Sequence, residues 1–251
     1  MTVKRYFVEL AYKGTPYAGW QRQNNAVSVQ STIEDALSTI LNQPTKITGC
    51  GRTDAGVHAS QYFMHFDFAR DLPEDFISRL NKFLPKEIAI KRVIPVANDA
   101  HTRFDATQRS YDYYLNAHKS PFSHELSWYY YSGRHLSLER LNACAQLLLE
   151  YSEFAPFCKK GSDAKTMHCH LTRSEWIEGK ANGSLVFHVT SNRFLRGMVR
   201  LIVGTCVLVA EGKLSLESVK ASLDTQGSLE KGYSVPPEGL YLSEVCYDYV
   251  D

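Results

Sequence analysis

In the first 96 residues, stretches with the apolar spacing of a strand and stretches with the apolar spacing of a helix follow one another. This order of predicted elements limits the possible folds more strongly than any other feature of the sequence. Apolar residues that alternate with other residues indicate strands, and apolar residues three or four apart indicate helices. The predicted strands are 3–12, 46–51, 62–68 and 88–96. The predicted helices are 28–40, with Ser28 or Ser31 as its cap and Ser31 and Glu34 as a capping box, and 73–84. The resulting order, β-α-β-β-α-β, is that of a ferredoxin-like unit.

The remainder of the chain shows a similar but less regular order of elements. The predicted strands are 109–117, 127–131, 171–178, 184–191 and 240–249, and the predicted helices are 137–150, 194–210 and 215–223. We therefore predict an α+β fold of two ferredoxin-like (RRM-like) halves, residues 1–105 and 106–251, that share a central, mainly antiparallel sheet with helices on one face. This architecture leaves a cleft between the halves for an active site.

The net charge and the cysteine content indicate the cellular compartment of the protein more than its function. The net charge of +1, from 28 basic and 27 acidic residues, neither requires nor excludes a nucleic-acid partner. Six scattered cysteines without a Cys-x-x-Cys pair indicate reduced thiols, and their spacing matches no common zinc template. The N-terminus enters a strand pattern without a signal segment, and no apolar run is long enough to cross a membrane. We therefore expect a cytoplasmic protein with no bound metal and no membrane partner.

One acidic residue stands out in the turn between the second and third predicted strands. This turn reads Gly51-Arg52-Thr53-Asp54-Ala55-Gly56-Val57-His58. A neighbouring guanidinium favours the ionised form of a carboxyl group, so Asp54 could act as a nucleophile or a base. The same run is also a good hairpin turn with Gly56 at positive φ, and the local sequence leaves both interpretations open.

A second cluster lies at the start of the second half, where Arg109, Tyr111 and Tyr113 share one face of a predicted strand. An arginine beside a tyrosine on a sheet face suits binding of a phosphate and stacking on a base. Tyrosines also occur on strands simply to pack a core, so for Tyr111 the two interpretations are equal.

Three arginines form a third cluster, because Arg193, Arg196 and Arg200 are three and four residues apart on the helix predicted from Phe194. The other positions of this helix are largely apolar, which predicts burial. A buried arginine needs an anionic partner, and Asp54 is a candidate partner for Arg200.

Five segments, in chain order, carry motifs that occur together in one known family. They are Tyr12-x-Gly14-x-x-Tyr17-x-Gly19-Trp20-Gln21-x-Gln23, Gly51 to His58, Arg109-x-Tyr111-x-Tyr113, Phe194-Leu195-x-x-Met198-Val199-Arg200, and Pro237-Glu238-Gly239-Leu240-Tyr241-Leu242. Together they resemble the TruA family of tRNA pseudouridine synthases over nearly the whole chain. A chance match to one turn is believable, but five ordered matches are not, so the resemblance removes the interpretation of Asp54 as a turn residue only.

The resemblance implies an isomerase without a cofactor that converts uridine to pseudouridine in the anticodon arm of tRNA, around positions 38 to 40. It also implies a homodimer in which one tRNA contacts both chains. By position, Asp54 would be the catalytic aspartate and Arg52 would hold a phosphate or help to extrude the nucleotide. Tyr111 would stack on the target base, Leu240 would pack against it, and Arg200 would pair with Asp54. Arg109 remains a substrate-binding candidate.

Two other classes of function are weighed against this one. A non-catalytic RNA-binding protein would also suit RRM-like units with aromatic side chains on a sheet face, but such a protein has no need of a buried carboxylate. A metal-dependent hydrolase that uses His58, His65 or His168 is a weaker alternative.

Overall fold

The computed structural model describes residues 3–161 and 164–250, and the chain folds into two units. The first unit comprises Met1–Thr107 and Tyr241–Asp251, and the second comprises Gln108–Leu240. The sequence predicted a division at 105/106 and placed the C-terminal segment in the second half. Residues Tyr241–Asp251 belong instead to the first unit, where their strand pairs with the strand His58–Phe68.

Strands and helices form largely where the hydrophobic periods predict them, and the fold is α+β. In chain order the elements are β1 (Lys4–Tyr12), α1 (Val29–Leu41), β2 (Thr48–Gly49), β3 (His58–Phe68), α2 (Phe76–Phe83), β4 (Ile88–Val96), β5 (Gln108–Asn116), β6 (Trp128–Tyr129), α3 (Leu138–Leu147), β7 (Leu171–Glu178), β8 (Ser184–Ser191), α4 (Met198–Ala210), α5 (Leu216–Thr225) and β9 (Leu240–Cys246). Short 3₁₀ turns occur at Tyr131–His135, Leu148–Glu150, Ala155–Phe157 and Pro237–Gly239.

The sheet of the first unit is mixed and has the order β4-β1-β3, with β2 and β9 also paired to β3. Strand β1 is antiparallel to both β3 and β4, whereas β9 runs parallel to β3. Helix α2 covers one face through Phe76, which packs against Phe66. Tyr247 covers the other face, against Phe7 and Phe63. The central strands are therefore buried on both faces.

The capping of α1 differs from the sequence prediction in one partner. Ser28 is the cap, and Ser31 completes the capping box: each side chain accepts the backbone N–H of the other, at 3.1 Å. Glu34, which the sequence assigned to the box, is instead buried and pairs with Arg22 at 2.9 Å and with Lys46 at 3.3 Å. The carboxylate therefore fixes the segments before and after α1 rather than its first turn.

The sheet of the second unit has the antiparallel order β5-β8-β7, with β6 parallel to β5. Helix α3 packs against α4 and β7. Helix α4 begins at Met198 and not at Phe194, because Gly197 has a φ of 69° and ends a turn in which the Met198 N–H donates to Leu195 O. The predicted helical stripe of three arginines is therefore wrong: Arg193 and Arg196 precede the helix, and Arg200 lies on it.

Two further findings concern the whole described chain. None of its helices is long and apolar enough to cross a membrane. The six cysteines are free thiols, and Cys50, Cys144, Cys169 and Cys206 are buried.

Candidate active site

Asp54 lies in the first unit, on the loop that joins the antiparallel strands β2 and β3. Its side chain is half-buried, whereas Arg52 is exposed. Gly56 has a φ of 77°, which confirms the prediction for this turn, and the Val57 N–H donates to Asp54 O at 3.2 Å. The loop therefore presents a carboxylate and a guanidinium, two residues apart, from a tight turn.

The segment after β1 lies directly against this loop. The Trp20 N–H donates to Thr53 O at 3.3 Å, and the Gly56 N–H donates to Tyr17 O at 3.3 Å. At Gly14 an added Cβ would lie 1.9 Å from the carbonyl oxygen of Val57. Because no side chain fits at such a distance, a glycine is required for the two backbones to approach.

Two tyrosine hydroxyls hold the loop from the sheet side. Tyr62 donates to Gly51 O, and the Tyr12 hydroxyl lies 2.8 Å from Thr53 Oγ1. Trp20 stacks on Tyr62 with ring centroids 3.9 Å apart. This support could not be predicted from the sequence, because the alternation that places Tyr62 on a strand does not indicate which loop its hydroxyl reaches.

Tyr111 and Arg109 lie on β5 in the second unit, and both are half-buried. The ring of Tyr111 meets that of Phe194 edge to face, with centroids 5.1 Å apart. Arg109 donates from Nη1 to the carbonyl oxygen of Asn192 at 3.1 Å. Tyr113, on the same strand, is fully buried and donates its hydroxyl to Pro236 O, and burial raises its pKa. Tyr113 is therefore a core residue, whereas Tyr111 is only half-buried.

Arg200 is half-buried on α4, and the segment before β9 fixes it. Its Nε donates to Val235 O at 2.6 Å, and the Val235 N–H donates to Arg200 O at 3.3 Å. Helix α4 approaches this segment closely, since a Cβ at Gly204 would lie 1.8 Å from Tyr233 O. Leu240, at the start of β9, is 6% exposed.

The structure thus brings Arg52 and Asp54 together on one loop, and Arg109 and Tyr111 together on one strand. The pairing of Asp54 with Arg200 joins residues of different units and stays a prediction.

Two of the three histidines of the hydrolase alternative are buried, and the third is exposed. His58 accepts the Gly14 N–H on Nδ1, and His65 bonds to Thr102. The exposed His168 lies 3.0 Å from a carboxylate oxygen of Glu153. In residues 3–161 and 164–250, no group of three or more His, Cys, Asp or Glu side chains is arranged to hold a metal ion.

Comparison with known proteins identifies the family to which the chain belongs. A sequence model of the family described as tRNA pseudouridine synthase matches residues 10–105 and 145–248. A tRNA pseudouridine synthase A from Porphyromonas gingivalis is 46% identical over 246 residues, which cover 97% of each chain. Proteins of the same name from Bacteroides thetaiotaomicron and Parabacteroides distasonis are 43% and 40% identical, over 98% of this chain and 91% and 96% of their own lengths. The match spans both units and the Asp54 loop, and on this evidence the chain belongs to the tRNA pseudouridine synthase family.

Proposed function

We propose that this chain isomerises uridine to pseudouridine in the anticodon arm of tRNA, around positions 38 to 40, with Asp54 as the catalytic residue. The observation that carries the proposal is the Asp54 loop. It holds a half-buried carboxylate two residues from an exposed guanidinium, its backbone is fixed from two sides, and it lies inside the segment that matches the family.

The reaction suits a single carboxylate. The bond from C1′ of the ribose to N1 of uracil breaks, the base turns, and a bond from C1′ to C5 forms. The hydrogen on C5 leaves and N1 gains a proton, so substrate and product are isomers and no oxidant, reductant or cofactor is needed. Asp54 would start the reaction by adding to the sugar or the base, or by removing a sugar proton.

The other candidate residues have roles in binding the nucleotide. A base inside a stacked helix must be extruded, which costs a few kcal/mol. Arg52 is exposed and would hold a phosphate or occupy the space that the base leaves. Tyr111 would stack on the extruded base and Leu240 would pack against it, which excludes water from the detached uracil. Arg109 would contact a neighbouring phosphate.

Several finer points belong to the same proposal. Both halves are taken to be ferredoxin-like, with a shared sheet and an active-site cleft between them in which Arg200 pairs with Asp54. The β-α-β-β-α-β order of the first unit supports this interpretation. The protein is taken to act in the cytoplasm, without a cofactor, as a homodimer in which one tRNA contacts both chains.

The proposal is tested with Asp54→Asn and tRNA that carries tritium on C5 of uridine. We expect tritium release to fall by about a thousand-fold or more, because removal of a catalytic residue commonly has this effect. Asp71→Asn is the control, since Asp71 is an exposed carboxylate of the same unit. Full activity of Asp54→Asn would rule out its role. If the unmodified protein bound tRNA without releasing tritium, the non-catalytic alternative would be favoured.

The target positions need a separate measurement. Mapping pseudouridines in tRNA from cells that lack this protein should show uridine at positions 38 to 40. If pseudouridine remained at positions 38 to 40 and was lost at other positions, the proposed target positions would be wrong.

A further inference from the structure

We propose that the hydroxyl groups of Tyr62 and Tyr12 are positioning groups of the isomerisation, which fix the residues on both sides of Arg52 and so direct Arg52 and Asp54 toward the substrate. The inference rests on the proposed catalytic role of Asp54. It assigns a part in the reaction to two tyrosines that lie outside the Asp54 loop, on strands β1 and β3.

Tyr62 binds both polar groups of one residue of the loop. Its side chain is fully buried, its hydroxyl donates to the carbonyl oxygen of Gly51, and the Gly51 N–H donates to the hydroxyl oxygen of Tyr62 at 3.4 Å. The preceding Cys50 is fixed separately, since its N–H donates to Phe63 O at 2.8 Å. The chain therefore enters the loop along a defined direction.

Tyr12 fixes the loop one residue beyond Arg52. Its hydroxyl lies 2.8 Å from Thr53 Oγ1, and the carbonyl oxygen of Thr53 accepts the Trp20 N–H. The two tyrosine hydroxyls thus hold Gly51 and Thr53, which lie on either side of Arg52, and Thr53 directly precedes Asp54.

The support beneath the loop is buried and closely packed. Tyr12, Trp20 and Tyr62 are 4%, 3% and 0% exposed. Tyr62 stacks on Trp20 at 3.9 Å and meets the edge of Tyr12 at 5.6 Å. A phenylalanine would fill the same volume at either position, so packing alone does not account for the hydroxyls, which are costly to bury without a hydrogen bond.

Positioning matters because a displacement of about 1 Å at a reacting group can lower a rate by about a hundred-fold. We expect Tyr62→Phe to lower kcat by about 10- to 100-fold and Tyr12→Phe by about 3- to 10-fold, with the Kd for tRNA and KM within about two-fold of wild type. Either variant alone tests the inference if the other does not fold.

Tyr247→Phe is the matched control. It also removes a buried hydroxyl that donates to a backbone carbonyl of the same unit, Thr102 O at 2.6 Å, but that carbonyl is outside the Asp54 loop. We expect Tyr247→Phe to shift the thermal midpoint as much as the loop variants do and to keep the wild-type kcat. A merely structural role predicts the same kcat for all three variants, measured well below their midpoints.

A double-mutant cycle tests the contact itself. Thr53→Val removes the partner of Tyr12, so Tyr12→Phe combined with Thr53→Val should be no slower than the slower single variant. If the losses of kcat in the two single variants multiplied in the double variant, the hydroxyls of Tyr12 and Thr53 would act independently of each other.

The outcomes separate this inference from the proposed function. If Asp54→Asn is inactive while Tyr62→Phe and Tyr12→Phe keep a kcat within two-fold of wild type, the positioning role is overturned and the role of Asp54 stands. If Asp54→Asn keeps full activity, the catalytic role of Asp54 is overturned and the positioning role with it.

Discussion

Gly14 and Gly19 allow the segment after β1 to lie directly against the Asp54 loop. A Cβ at Gly19 would lie 2.4 Å from Thr53 O, and Gly19 also has a φ of 88°. The positive φ of Gly56 could be predicted from the sequence because a turn is a local structure. The close approach of Gly14 to Val57 could not, because it depends on a contact between residues more than forty positions apart.

We expect Gly14→Ala to destabilise the protein and to slow the reaction. The added methyl group would overlap Val57 O, so the loop must shift, at a cost of about 1–3 kcal/mol in the free energy of unfolding and about ten-fold or more in kcat. Gly51→Ala is the control, because its Cβ meets no atom within 4 Å. Urea unfolding and tritium release measure both effects. Equal results for the two variants would show that the approach at Gly14 can relax without consequence.

At the scale of elements, local signals explain both what the sequence predicts and where it fails. The apolar spacing and serine caps of α1 lie within one stretch of chain, so the helix could be predicted nearly to its ends. The same spacing continues back to Phe194 before α4, which made that helix four residues too long. Its true start is decided by the backbone of Gly197, and apolar spacing carries no information on backbone angles.

The first turn of α1 also supports the site, and Ser28→Ala tests this link. The Val29 N–H donates to Gly19 O and the Gln30 N–H to Trp20 O, so fraying of this turn would loosen the segment that holds the Asp54 loop. We expect a loss of about 1 kcal/mol in stability, as for other helix caps, and a several-fold loss in kcat.

Ser137→Ala is the control for the α1 cap, because Ser137 caps α3 in the second unit through the Arg140 N–H. It should cost a similar amount of stability in urea unfolding and leave kcat unchanged. A wild-type kcat for Ser28→Ala would show that the cap of α1 does not support the Asp54 loop.

At the scale of the whole molecule, the sequence predicted the elements better than their assignment to units. Strand β9 was placed in the second half because it follows that half in the chain. It pairs with β3 of the first unit, through His58 with Tyr241 and Ala59 with Leu242, and the rings of His58 and Tyr241 stack at 4.5 Å. Hydrophobic periods identify a strand and its buried face, but the choice of a distant partner depends on surfaces that only the folded chain creates.

The stability of the folded chain should depend on pH through His65. This residue is 6% exposed on β3 and bonds to Thr102 at 2.9 Å. Burial, together with the charges of Arg5 and His101, lowers the pKa of His65 to about 4. The hydrogen bond from Arg5 lowers the pKa of Asp67, so the contribution of Asp67 is lost only at more acidic pH, below about 3.8.

Between pH 6.5 and 4 the unfolded chain therefore binds a proton on His65 that the folded chain does not, and the free energy of unfolding should fall as the pH is lowered through this window. The expected loss is on the order of 3 kcal/mol. Urea unfolding at intervals of half a pH unit measures it, with His65→Gln as the comparison, because glutamine can accept the Thr102 N–H but does not titrate. The variant should show a flatter profile than wild type from pH 6.5 to 4 and the same profile above pH 7. A profile of unchanged slope in the variant would assign the acid sensitivity to other groups and leave His65 as an ordinary core residue.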